Sequence, residues 1–198
     1  MRRGIALACL TFLVIPYGTA APTAGADEPT LGTPLVDVDD AGAVAAWSTV
    51  NDPVMGGRST STVTFGNGGL VFSGSISLEN NGGFASARSP QDPDMGRKAA
   101  GATSLRVLAV GDGKTYLVKV GSAGQPWSYI QRFATEAAVQ RIYDLPVADF
   151  RAVGMRLDPA PDAPQTLDPS RISQISFYIL DKQQGPFALT VSGVGAAA

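Results

Sequence analysis

From residue 35 onward the chain is cut by glycine, proline, asparagine and aspartate into short runs rich in β-branched and aromatic residues, and nowhere does it carry the 3.6-residue apolar period of a long amphipathic helix. That punctuation confines it to β structure. The runs cover residues 35–38, 59–65, 70–78, 84–88, 104–110, 115–120, 128–133, 140–145, 175–180 and 187–191. Short strands at this regular spacing predict an all-β fold: a two-sheet antiparallel β-sandwich, of jelly-roll type. Residues 39–46, "DDAGAVAA", and residues 147–150 each have room for one helical turn. The stretch from Pro159 to Pro169 reads as a loop, because proline removes the ladder N–H. "GDGKT", residues 111–115, lacks the first glycine of a phosphate-binding loop, since Leu108 stands at that position. It reads instead as a hairpin turn with Asp-Gly at its tip.

The amino terminus sets the compartment. Arg2 and Arg3 precede an apolar run from Gly4 to Ile15, and Ala24-Gly25-Ala26 follows, the layout of a secretory signal peptide with an A-x-A cleavage site. At about twelve residues the run is too short for a helix that spans a bilayer, so stable membrane insertion is not expected. Cleavage is expected after Ala26, with Ala20 or Ala21 the competing position, and Sec and twin-arginine export both stay open. The expected organisation is a signal peptide over 1–26, a flexible segment over 27–34 and one β-sandwich domain over 35–194. The product is then secreted or periplasmic.

Export narrows the chemistry. The single cysteine, Cys9, lies in the leader and histidine is absent, so the mature chain has neither thiol nor imidazole. Disulfides, thiolate or imidazole metal sites and Ser-His or Cys-His catalysis are excluded. Without Arg2 and Arg3 the chain holds 13 basic against 17 acidic residues and no basic run, which disfavours nucleic acid. No cofactor is expected. Structural calcium is the one metal the composition allows, on Asp92 and Asp94 or on Asp37, Asp39 and Asp40, although neither spacing matches a defined calcium loop.

Two stretches share ingredients: "NDPVMGGRS", residues 51–59, and "ENNGGFASAR", residues 79–88. Read locally they are turns, with Asn and Asp capping backbone groups, Pro53 fixing φ, and Gly56-Gly57 supplying positive φ before the next strand. Read functionally, the two loops meet at one edge of the sandwich, where Arg58 and Arg88 offer forked donors to an anionic or polyhydroxyl partner. Pairing of these arginines with Asp52 or Asp181 is the competing outcome.

At these phrases the chain resembles the complex I intermediate-associated protein 30 family. The likeness rests on "WSTVNDPVMGGRS", "LVFSGSISLENNGGFASAR", "WSYIQRF" and "ISQISFYILDKQQGPFALTV", and covers residues 35–194. It implies a galactose-binding-like β-sandwich and, for mitochondrial members, a chaperone-type role in assembling respiratory complex I. The family supplies no catalytic residues to carry over. Its motif positions here, Asn51, Asp52, Met55, Gly56, Gly57, Ser59, Gly82, Gly83, Phe84, Ser86 and Arg88, and then Asp181, Gln183, Gly185, Pro186 and Phe187, are candidates for a shared surface. Mitochondrial members work in the matrix, whereas the leader sends this chain outward.

Three functions fit. The first is a non-catalytic assembly or chaperone-like module for envelope or secreted proteins, with Met55 and Phe84 as apolar anchors. The second is a carbohydrate-binding module, with Trp127, Tyr129, Gln131 and Phe133 on one strand face stacking on sugar rings; the competing reading of that face is core packing. The third is a glycoside-acting enzyme using paired carboxylates, for which Asp52 and Glu79 sit in the right loops but no motif singles them out.

Overall fold

The computed structural model describes residues 30–198, and the leader with Arg2, Arg3 and Cys9 lies outside the described residues, as do the side chains of Val54 and Met55. Alternating apolar residues build two antiparallel sheets of six strands each. The first runs β3 (Thr60–Gly66), β4 (Gly69–Ile76), β12 (Gly185–Ala197), β6 (Ser104–Val110), β9 (Gln140–Pro146), with β1 (Thr33–Pro34) added against β12. The second runs β10 (Arg151–Val153), β8 (Ser128–Ala134), β7 (Thr115–Ser122), β11 (Ile172–Ile179), β5 (Ala85–Arg88), β2 (Ser48–Asn51).

The core lies between the sheets. Leu70, Phe72, Val107 and Leu189 from the first meet Ala87, Val118, Ile175 and Phe177 from the second, all fully buried. Phe187 packs edge-on to Phe72 with ring centroids 4.9 Å apart, and Trp47 stacks on Phe177 at 6.0 Å. Each such aromatic contributes roughly 1.5–3 kcal/mol by burial. The fold class expected from the punctuation is thus the one observed.

Several local expectations change. Residues 35–38 are not a strand: Leu35 and Val38 both turn inward, and Asp37 accepts the Asp39 N–H through its own Oδ1 at 3.0 Å, which bends the chain. Strands β2 and β10 were not expected, nor was the short helix α2 (Met95–Ala99), whereas α1 (Ala41–Ala45) falls inside the expected turn. The sandwich takes in Thr33–Pro34 at one end and reaches Ala197 at the other, both beyond the 35–194 expected for it.

The Asp112-Gly113 turn is not a hairpin. It leaves β6 in the first sheet and enters β7 in the second, so it crosses the sandwich; Asp112 accepts the Lys114 and Ala188 N–H groups and Gly113 takes φ +88. A positive φ at Asp-Gly is common to both kinds of turn, and only strand pairing tells them apart.

Candidate functional site

Both motif loops cross between the sheets at the same edge. Residues 52–59 lead from β2 to β3, and residues 77–84 lead back from β4 to β5. Asp52–Met55 forms one 3-10 turn with Pro53 in its first positions, and Gly56 closes it at φ +91. Gly57 departs from the expected positive φ; its constraint is a neighbour, described next.

Asp52 is fully buried and ties the loops together. Its Oδ1 accepts from the Ser59 N–H at 2.7 Å; its Oδ2 accepts from Ser59 Oγ at 2.5 Å, from Gly83 N–H at 2.5 Å and from Phe84 N–H at 3.2 Å. Burial pushes the Asp52 carboxyl up, but the Ser59 hydroxyl and the Gly83, Ser59 and Phe84 N–H groups outweigh it and hold the group below the usual carboxylate range. Gly57 and Gly82 face this carboxylate from the two loops. A Cβ on Gly57 would lie 2.4 Å from Asp52 Cγ, and one on Gly82 would lie 2.7 Å from Asp52 Oδ2. The shared glycines therefore make room for one buried anion.

Further ties reinforce the junction. Asn80 Nδ2 donates to Gly56 O at 3.0 Å, and the Asn51 amide and Ser61 hydroxyl are hydrogen-bonded at 2.6 Å. Arg58 pairs with Glu79 across the loops: Nη1 stands 3.0 Å from Oε2, both side chains mostly exposed, a contact worth less than about 1 kcal/mol. Of the Asp52 and Glu79 pair considered for glycoside chemistry, Asp52 takes the Ser59 hydroxyl and three backbone N–H groups, and Glu79 stands mostly exposed against Arg58.

Beside this junction a groove of about 830 Å³ runs over the outer face of the second sheet. Gly82, Gly83 and Phe84 form one end, Arg88 and Tyr178 the floor, and Met155 to Leu157 the opposite wall. Arg88 does not pair with a carboxylate as one reading allowed. Its Nη2 donates to the Tyr178 hydroxyl at 3.1 Å and its Nε to Ser86 Oγ at 3.3 Å, while Ser86 is buried and donates to Val50 O. Asp181, which takes φ +64, is held instead by Arg132 through two bonds of 2.7 and 2.9 Å. Below the groove Leu117, Ile130, Val153 and Tyr178 form a second buried cluster against which Phe84 and Leu157 pack.

The model of one family, described as complex I intermediate-associated protein 30, matches residues 36–191. The chain belongs to that family. No curated protein matches the chain in sequence. Among solved structures it is similar to the family 11 carbohydrate-binding module of the cellulosomal cellulase Lic26A-Cel5E of Clostridium thermocellum, with a TM-score of 0.54 at 15% identity over 77% of this chain and 88% of that one. The family 11 module from Clostridium thermocellum in complex with a β-1,3-1,4-mixed-linked tetrasaccharide gives 0.53 at 16% identity over 78% and 91%. An agarase gives 0.53 at 13% identity over 84% of this chain and 26% of the enzyme. At these identities the likeness is one of fold.

The second motif of the family supports the sandwich more than the groove. Gln183 clamps the end of β7, accepting from Thr115 N–H at 2.9 Å and donating to Thr115 O and Leu180 O. Gly185 starts β12 at φ +99, Pro186 follows on the exposed side, and Phe187 is in the core. Only Asp181 of this motif lines the groove.

The face offered for sugar stacking is the inner one. Tyr129 and Phe133 are buried, Gln131 turns the same way, and Trp127 packs half-buried on the core, because β8 directs these alternate positions between the sheets. Of the candidate calcium donors, Asp37 accepts the Asp39 N–H, Asp40 caps α1 through Ala43 N–H, Asp92 pairs with Lys98, and Asp94 with Arg97. Among the described residues no three carboxylates converge on a metal position.

Sequence reading missed Tyr178, Lys119, Arg132 and the 155–157 wall. A usable signal exists, since Lys119 in "TYLVKVGS" and Arg132 in "SYIQRFA" are single cations at outward positions of otherwise uncharged strands.

Proposed function

We propose that the protein is a non-catalytic binding module that, after export, holds a partner protein in the groove on the outer face of the second sheet, in an assembly or chaperone-like role. The observation that carries this reading is the groove's wall, where Met155 stands 89% exposed beside Leu157 and Phe84 and among the cations Arg88, Arg156 and Lys182. An exposed methionine and half-buried apolar neighbours ringed by charge are the surface a protein partner covers. Asp181 spends both oxygens on Arg132, which supports binding rather than acid–base work.

A second reading is capture of a glycan. It is favoured by the shared fold with a module that holds a mixed-linked tetrasaccharide. The Tyr178 ring, with cations beside it, is poorly placed to stack on a sugar.

The test uses the protein recovered from outside the cell. Its intact mass is expected to correspond to residues 27–198, and a protein is expected to co-purify with it. Met155→Ala and Phe84→Ala are expected to weaken that association by about 1 to 3 kcal/mol each, with Met155→Ala leaving the melting temperature unchanged. A cytoplasmic form that keeps residues 1–26 contradicts the export half; retention on a glycan array with no protein partner contradicts the other.

A further inference from the structure

On the outer face of the second sheet, Lys119 and Arg88 have no carboxylate on them among the described residues. Lys119 on β7, Ser176 on β11 and Arg88 on β5 form one register row across three neighbouring strands. Their side chains leave the same face, with strands about 4.8 Å apart. Tyr178 lies one pleat further along β11, and the Arg88 guanidinium carbon and the Lys119 ammonium each stand 5.8 Å from its ring centroid. Among the described residues neither cation takes part in an ion pair, although acidic residues outnumber basic ones in the chain.

The arrangement is unfavourable until something joins it. Burial first, and then the charge of Arg88, hold the Lys119 ammonium below the usual lysine range. Arg88 is kept in place by the Tyr178 hydroxyl and Ser86, and these bonds use Nε and Nη2, so both Nη1 N–H groups remain available as donors. Ser176, short and buried, lies between them in the row, and the two cations flank the Tyr178 ring from the strands on either side of β11. Arg88 and Tyr178 also line the groove, so the row stands at its border. Along the same groove Arg156 and Lys182 have no ion pair among the described residues either.

We infer that the row Lys119, Ser176 and Arg88 is a carboxylate-binding subsite, and that the partner's docking segment is an acidic, extended stretch whose Asp or Glu side chains seat between the two cations while its apolar side chains lie on Phe84 and Leu157. This rests on the reading of the groove as a protein-binding surface. A polypeptide fits better than an acidic glycan because cations and apolar side chains are interleaved along the walls, and a uronate polymer offers nothing to the latter.

The experiment titrates the exported protein with a labelled peptide of alternating glutamate and leucine, with its lysine-for-glutamate counterpart, and with hyaluronan as a polyanionic glycan. The glutamate peptide is expected to bind, with affinity falling as salt shortens the Debye length, and the lysine peptide is not. Lys119→Met and Arg88→Met are each expected to weaken binding about tenfold. Lys119→Met keeps the packing on Tyr178 and removes a disfavoured charge, so its melting temperature is not lowered. Equal binding of the two peptides, or unchanged affinity in Lys119→Met, overturns the subsite. If that variant still retains the co-purified protein while the glutamate peptide fails to bind, the subsite is refuted and the protein-binding reading stands. Tighter binding of hyaluronan than of the peptide refutes both.

Discussion

Replacing Asp52 with alanine is expected to remove about 4 kcal/mol of folding stability, a large part of the roughly 5–15 kcal/mol typical of a domain. The reason is what the carboxylate leaves behind. Three backbone N–H groups and the Ser59 hydroxyl point at it, with Asp52 and Ser59 fully buried and Gly83 and Phe84 half-buried. Bonds to an ionised acceptor are roughly twice as strong as neutral ones, and each buried donor that loses its partner costs about 1–3 kcal/mol. The loss also unties the two crossings that close one edge of the sandwich. Asp52→Asn is expected to be nearly as damaging, because its amide turns a donor toward donors.

Acid adds an independent check. The folded Asp52 carboxyl titrates below the ordinary aspartate value of 3.8, so its contribution is fully present above 3.8 and is lost as pH falls through the folded pKa. Denaturant titrations at neutral pH and well below 3.8 should therefore show the gap between wild type and Asp52→Asn narrowing in acid. A loss under about 1 kcal/mol, or a gap independent of pH, would mean that the junction is held by something else.

Gly57→Ala is expected to cost about 3 kcal/mol, more than the roughly 1–2 kcal/mol of Gly56→Ala, although only Gly56 has a left-handed φ. At Gly56 the added methyl meets nothing within 4 Å and only the backbone objects. At Gly57 it would lie 2.4 Å from Asp52 Cγ and Oδ1, and must push the carboxylate off its four donors. The two changes are therefore coupled. In a double-mutant cycle by thermal denaturation, Gly57→Ala should cost clearly less in the Asp52→Ala background than in the wild type, though not nothing, because the Cβ of residue 52, 2.8 Å from the added methyl, remains. Additive losses would show that Gly57 is needed for its own backbone and not as a cradle for Asp52.

The sequence by itself determined the strands whose signal is local. Residues 104–110 alternate and are bounded by turn residues, and they form β6 over the whole expected range, as the pleat period of two requires. The family phrases and the turn at residues 52–56 were legible for the same reason, since turn chemistry is written in adjacent residues, whereas the meeting of the two glycine loops was one of two readings until the strand order placed both at one edge. Strands β2 and β10 were not legible: each is short, at a sheet edge, and becomes a strand only because β5 or β8 offers it a ladder. Asp52 could be read as a cap, but not as a clasp on Gly83, which lies 31 residues away. In β8 the alternation separated Tyr129 and Phe133 from Ile130 and Arg132 without saying which set faces inward. Packing against the first sheet took the aromatics and left Arg132 to the groove. The row of Lys119, Ser176 and Arg88 likewise exists only through cross-strand register. Local alternation follows from the geometry of one chain segment, whereas strand order, inner face and register depend on contacts between segments far apart in sequence, and those only the tertiary structure decides.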